Sequence, residues 1–294
     1  MSSLTSTELL DAQLLPTVGI PIRLLNMYPI LISLGSVEIP SWHFMYAVGA
    51  LSAFALFNWL CGRIEPPVPN LEISRIFAVC YISGYFGARL LSILVEEPKI
   101  DGLSTVLAEL TRFGSMTFYG GALASGAFGA VYARYRGLPV PKLFDCAIPA
   151  GLLALSFGRI GCFLNGDDFG TPIRISEAGT TPIWAVTFPN LGDGIARYPV
   201  QLVESGFALA LAVSLVVAVI RNSKKIPSGL IAVTGAFSYA IIRFNLEFYR
   251  DDPRGNVLGT TLSTSQGISL GLSLACLGYA AAKFIPHATR LRSK

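Results

Sequence analysis

The chain has 294 residues, of which 52% are apolar and only 14% charged, with a mean hydropathy of +0.58. An average soluble domain carries about 25% charged residues, so this balance excludes an ordinary water-soluble enzyme and points to a polytopic membrane protein. A net charge of +4 gives no sign of a nucleic-acid partner.

The first 40 residues lack the cationic start of a signal peptide and interrupt their apolar stretch with Asp11, Pro16, Pro21 and Arg23. Residues 1–41 are therefore expected to lie at the membrane interface or in the periplasm rather than to span. Seven stretches follow that are long enough for a hydrocarbon core of about 30 Å, at about 42 to 61, 75 to 95, 117 to 135, 144 to 164, 199 to 220, 229 to 249 and 262 to 285. Each is predicted to be a helix, because lipid offers the backbone no other hydrogen-bond partner. The expected fold is an all-α polytopic membrane protein with one seven-helix domain over residues 42–285, an external loop at 171–197 and a basic tail at 286–294. That loop is rich in Thr, Pro and Gly and has two readings, a cover that gates the site or a solvated connector.

Orientation follows from the cations. One set of loops and ends holds Arg63, Arg75, Arg134, Arg136, Lys142, Arg221, Lys224, Lys225, Lys283, Arg290, Arg292 and Lys294. The other holds Arg23, Lys99, Arg112, Arg174, Arg197, Arg250 and Arg254. The richer side is expected to be cytoplasmic, which puts the N-terminus outside and the C-terminus inside.

Three arginines remain within the spans. With the helix directions fixed, Arg89, Arg159 and Arg243 all lie on the order of 10 Å below the outer surface, at 1.5 Å per residue. Glu204, Glu247 and Tyr119 fall in the same layer, and the i,i+4 spacing of Arg243 and Glu247 puts them on one helix face. A buried guanidinium is costly and calls for an anionic partner. Either these arginines snorkel outward or pair with the glutamates, or they form a pocket with surplus positive charge suited to a phosphate, whose oxygens match the planar guanidinium fork.

The soluble catalytic patterns are missing: there is no glycine-rich phosphate loop and no Gly-x-Ser-x-Gly elbow. Cys61, Cys80, Cys146, Cys162 and Cys276 all fall in predicted spans without metal-ligand spacing, so neither a disulfide framework, a metal site nor a cofactor is expected. His43, at the outer start of the first span, is either a proton acceptor or an interfacial residue beside Trp42. Cys162 is either a nucleophile or a small buried hydrophobe. The glycines of 120–126 let helices approach closely.

The run Gly158-Arg159-Ile160-Gly161-Cys162-Phe163-Leu164-Asn165-Gly166-Asp167-Asp168-Phe169-Gly170 resembles the Gly-Arg-x-Gly-Asn-Phe-x-Asn-Gly-Glu-x-x-Gly signature of the bacterial prolipoprotein diacylglyceryl transferases. Further similar segments lie in order along the chain: Gly87 to Leu90, Phe118 to Gly121, Asp145 with Pro149, Tyr198 to Glu204, Arg243 to Arg250, and Ser265-Gln266. The resemblance covers about residues 40 to 285. It implies a transferase that moves the diacylglyceryl group of phosphatidylglycerol onto the lipobox cysteine thiol of a preprolipoprotein, forming a thioether and releasing glycerol phosphate. It also implies a multi-pass protein of the bacterial inner membrane. Arg159, Arg243, Glu247, Tyr119 and Asp167 become the catalytic candidates, and Arg89, Asn165, Gly170, Gly120, Gly121, Gln201, Glu204, Arg250 and Gln266 the substrate-binding ones. The chain departs from the family pattern at Cys162 for Asn, Asp167 for Glu, and Tyr119 and Tyr198 for His. Those departures motivate a second reading, a non-catalytic relative that binds anionic phospholipid or lipoprotein signal peptides. A third, an anion or lipid transporter, lacks the inverted repeats that mark such folds.

Overall fold

The computed structural model describes residues 27–34, 37–96, 102–111, 116–173, 182–222, 225–251 and 260–292. The expectations for Arg23, Lys99, Arg112, Arg174, Lys224, Arg254 and the side chains beyond Lys283 fall outside the described residues, as do those for residues 1–26.

Eight helices make up most of the described chain: α1 (Ser41–Cys61), α2 (Asn70–Glu96), α3 (Leu103–Thr111), α4 (Phe118–Tyr135), α5 (Val140–Asn165), α6 (Val200–Asn222), α7 (Leu230–Leu246) and α8 (Thr264–Arg292). Seven of them occupy the seven predicted positions, and α3 is an addition where only an outer connection was expected. Among the described residues, five stretches are long and apolar enough to cross a membrane: Ser41–Cys61, Asn70–Leu94, Val140–Asn165, Val200–Arg221 and Leu230–Tyr249. Two short antiparallel pairs complete the fold, β1 (Ile30–Leu34) with β2 (Val37–Pro40), and β3 (Val186–Thr187) with β4 (Ala196–Arg197). The first pair is a hairpin leading into α1, where the Ser41 amide donates to the Pro29 carbonyl at 2.9 Å.

Small residues set the helix pairs. A Cβ on Gly161 of α5 would stand 3.1 Å from the Met45 Cβ, and one on Gly49 of α1 would stand 2.9 Å from the Ala154 carbonyl oxygen. Residue 45 beside 161 and 49 beside 154 make α1 and α5 antiparallel neighbours. A Cβ on Gly120 of α4 would lie 2.3 Å from the Gly87 carbonyl oxygen, so α2 and α4 touch backbone to backbone.

Side chains from one helix secure the ends of others. The Asp145 carboxylate of α5 accepts the Gly229 and Ala232 amides at 2.7 and 2.8 Å, satisfying donors that the start of α7 leaves without an intrahelical partner. Glu72 of α2 gathers Arg75 at 2.8 Å, Arg136 at 2.7 Å and the Tyr132 hydroxyl at 3.2 Å. Between them runs the main apolar core, with Leu60, Cys61, Ile73 and Cys146 fully buried. At the other end of the molecule the C-terminus of α5, the N-termini of α6 and α8 and the C-terminus of α7 converge.

Candidate active site

The site is built on the way α5 stops. Gly166 takes the left-handed conformation (φ 84), and the Gly166 and Asp167 amides both donate to the Cys162 carbonyl, closing the helix. Asp168 is also left-handed (φ 59), a conformation that Asp tolerates better than most residues. Two such residues in quick succession reverse the chain. Asp167 is left exposed, hydrogen-bonded to the Asn165 amide, while Asp168 turns back onto Arg159, with Oδ2 2.6 Å from NH1. Gly170 follows at a close crossing, where a Cβ would lie 2.4 Å from the Tyr198 carbonyl oxygen. Its backbone bridges to Arg250 beyond the end of α7.

Glu204 of α6 is the hub. It is fully buried, and its Oε2 lies 3.0 Å from Arg159 Nε, 3.9 Å from Arg243 NH1 and 4.0 Å from Arg250 NH1. Its other oxygen accepts the Tyr239 hydroxyl at 2.7 Å. Arg243 NH2 reaches Glu247 Oε2 at 2.6 Å, and Arg250 NH2 reaches Asp168 Oδ1 at 2.5 Å. Four separate segments thus meet at three guanidinium groups and three carboxylates. Of the two expectations for the arginines, pairing with the glutamates is what Arg159 and Arg243 show, and with Asp168 the guanidinium groups of Arg159, Arg243 and Arg250 are balanced by Glu204, Glu247 and Asp168. Burying so many charges is tolerable because they compensate one another. Several of the contacts are ion pairs without hydrogen-bond alignment, and among the described residues Arg243 NH1 makes no hydrogen bond.

The other candidates spread around this cluster. Arg89 is buried but joins a different pair, its Nε donating to the Glu109 carbonyl and its NH2 to the Glu109 carboxylate, both at 3.0 Å, which ties α3 to α2. Tyr119 lies 3.2 Å from the Ser269 hydroxyl and 3.4 Å from the Ser265 carbonyl, and Ser265 Oγ in turn accepts from Arg243 at 3.3 Å. Gln201, fully buried, donates to the Asp167 carbonyl at 2.5 Å and braces the turn. Gln266 forms a capping box with Ser263 at the start of α8, and the Ser263 hydroxyl donates to Glu247 at 2.7 Å. Gly120 and Gly121 lie against α2, which is a packing contact. His43 is exposed and edge-on to Trp42. Among the described residues no cluster of His, Cys, Asp and Glu has the make-up to hold a metal ion.

The outer loop is packed where it is described. Phe188 and Val186 bury against Phe163, and the Thr171 amide donates to the Tyr249 carbonyl at 2.8 Å. Arg197 pairs with Asp193 at 2.7 Å and with Asp251 at 2.5 Å, and its guanidinium holds the Asp193 carboxyl below the usual carboxylate range. A plain solvated connector does not describe these segments. Sequence reasoning missed Asp168, Tyr239, Ser263, Ser265 and Glu109 as participants. Tyr239 had a signal, since it precedes Arg243 by four residues and shares its helix face.

Residues 29–282 match the family model described as prolipoprotein diacylglyceryl transferase. A phosphatidylglycerol--prolipoprotein diacylglyceryl transferase of Clostridium tetani is 33% identical over 83% of this chain and 93% of its own length. A similarly named protein of Geobacter sulfurreducens is 28% identical over 85% and 94%, and a second such transferase of Clostridium perfringens is 32% identical over 80% and 87%.

Proposed function

The chain belongs to the prolipoprotein diacylglyceryl transferase family, and from that membership we propose that it transfers the diacylglyceryl group of phosphatidylglycerol to the lipobox cysteine of preprolipoproteins. In this reaction a sulfur–carbon bond forms as the bond between the glyceryl carbon and the phosphate oxygen breaks. The electron pair leaves on that oxygen, and the released glycerol phosphate takes up the proton that the thiol gives away. The observation that carries the reading is the convergence of Arg159, Arg243 and Arg250 on one buried carboxylate inside a bundle of membrane helices.

Each residue has a physical task. Arg159 and Arg243 stabilise the charge that grows on the leaving phosphate oxygen, in a water-poor site where fixed donors are most effective. Glu204 holds those guanidinium groups in place, Arg250 pairs with Glu204 and Asp168, and Glu247 orients Arg243. Tyr119, with Ser269, offers a hydroxyl route for the thiol proton. Helices that fix a lipid and a signal peptide side by side turn an encounter between two membrane-embedded substrates into a positioned reaction.

The same reading has seven crossings, with α4 and α8 as the two beyond the five long apolar stretches, the N-terminus outside and the C-terminus in the cytoplasm of a bacterium with an inner membrane. Residues 42–285 form the transferase domain, the loop at 171–197 covers its outer mouth, and 286–294 is a basic tail. The test is direct. Purified protein given phosphatidylglycerol and a lipobox peptide is expected to yield a thioether-linked diacylglyceryl peptide, and Arg243→Ala is expected to abolish it. Absence of product from the wild type, under conditions where a Clostridium tetani relative works, overturns the assignment.

A further inference from the structure

The site is charge-balanced without its lipid, and a phosphodiester brings one more negative charge. Adding it to three carboxylates and three guanidinium groups leaves a net anion at a depth where an uncompensated charge is expensive. One of the resident carboxylates has to yield, and the three are not equally held. Glu204 is fully buried, with three arginines and the Tyr239 hydroxyl around it. Glu247 has a side chain 5% exposed, locked by Arg243 and by the Ser263 hydroxyl that caps α8.

Asp168 differs in exposure, in position and in backbone, though not in having charged partners. Its side chain is 26% exposed, it sits in the turn after α5 rather than on a helix, and its backbone is in a left-handed conformation (φ 59). Its two oxygens span Arg159 NH1 at 2.6 Å and Arg250 NH2 at 2.5 Å. Two anionic oxygens bridging two guanidinium groups is the geometry a phosphate diester presents.

We propose that Asp168 is a resident stand-in for the lipid phosphate: its carboxylate holds Arg159 and Arg250 ready while the site is empty, and the donor phospholipid binds by displacing it. The proposal rests on the reading that this site takes a phosphodiester headgroup. Asp168 then sets the affinity for phosphatidylglycerol, because the apparent affinity falls with the fraction of sites in which the arginines are already occupied.

The test titrates full-length protein in detergent with a short-chain phosphatidylglycerol and reads Kd by calorimetry. Asp168→Asn and Asp168→Gly are expected to tighten binding about tenfold, as the competing state is removed. Glycine at this position also relieves the left-handed backbone, so it keeps the turn if Asn does not. Glu38→Gln, which removes an exposed carboxylate on the hairpin, is expected to leave Kd unchanged and controls for net charge. A Kd equal to or weaker than wild type, in whichever Asp168 variant melts within a few degrees of wild type, overturns the proposal. Wild-type protein that binds phosphatidylglycerol but transfers nothing to the peptide counts against the transferase reading alone, since the Kd comparison still decides the exchange.

Discussion

At the scale of the residue, the adjacent pair Asp167 and Asp168 decides what the site is. The family pattern places an acid at 167, and from the sequence that residue is the natural catalytic candidate. Which of two neighbouring side chains faces inward, however, depends on the backbone that follows Gly166, and two left-handed residues send Asp167 outward and Asp168 onto Arg159. That information lies in dihedral angles, not in residue type. The arginines were legible for the opposite reason, since a guanidinium in an apolar helix is conspicuous wherever the chain folds. Their partnerships were legible only within a helix, as for Arg243 and Glu247, and not for Glu204, which draws on three other segments. Because Glu204 orients all three guanidinium groups, Glu204→Gln is expected to lower the transfer rate about 100-fold, the scale of a misplaced catalytic group. It should also cost roughly 3–5 kcal/mol of stability by leaving buried charge unpaired. Turnover together with the melting temperature checks both; a variant that melts normally and turns over at wild-type rate would remove Glu204 from its central place.

At the scale of the element, helix positions were legible because hydrocarbon length and hydrophobic content fix them, whereas α3 and the two short strand pairs carry no comparable signal. The short helix α3 is held to α2 by the Arg89–Glu109 pair, so Arg89 could be noticed as buried but its partner could not be foreseen. Asp145 illustrates a role that reaches from one helix to another. Asp145→Ala is expected to destabilise the protein by about 1–2 kcal/mol, the value of a lost helix cap, with faster hydrogen exchange at Gly229 and Ala232 as the local readout. An unchanged exchange rate there would show that water replaces the cap. The outer loop gives a pH test. The Asp193 carboxyl is held low by Arg197, which faces Asp251 as well, so the pairing contributes above the unfolded Asp value of about 3.9 and is lost as pH falls through the depressed folded value. Protection of the 193–197 backbone is therefore expected to persist at pH 4 and to fail only in stronger acid. In Asp193→Asn that acid step should shrink, and a step of wild-type size would show that the Asp193–Arg197 pair does not set it.

At the scale of the whole molecule, the arginine cluster lies at one end of the bundle and the Glu72 and Asp145 networks toward the other. Trp42 and Met45 at the start of α1 pack beside Gly161 at the end of α5, so the hairpin and the arginine cluster share one end. Glu72 with Arg75 and Arg136, and Asp145 with the start of α7, lie toward the other. A site at one end only makes sense for transfer if that end faces the compartment where the signal peptide emerges, which is the orientation proposed above from the Lys and Arg distribution. In a variant lacking the native cysteines, Ile183→Cys on the loop near the cluster is expected to react with a membrane-impermeant maleimide in intact spheroplasts. Glu65→Cys, in the turn between α1 and α2, is expected to react only after the membrane is opened. Both positions are open to the reagent, as Ile183 is 76% exposed and Glu65 is exposed. Labelling of both from the outside would place the two ends on one side and break the seven-crossing arrangement. Labelling of Glu65→Cys alone would invert it and put the arginine cluster on the cytoplasmic side, where the lipobox thiol of an exported precursor does not arrive.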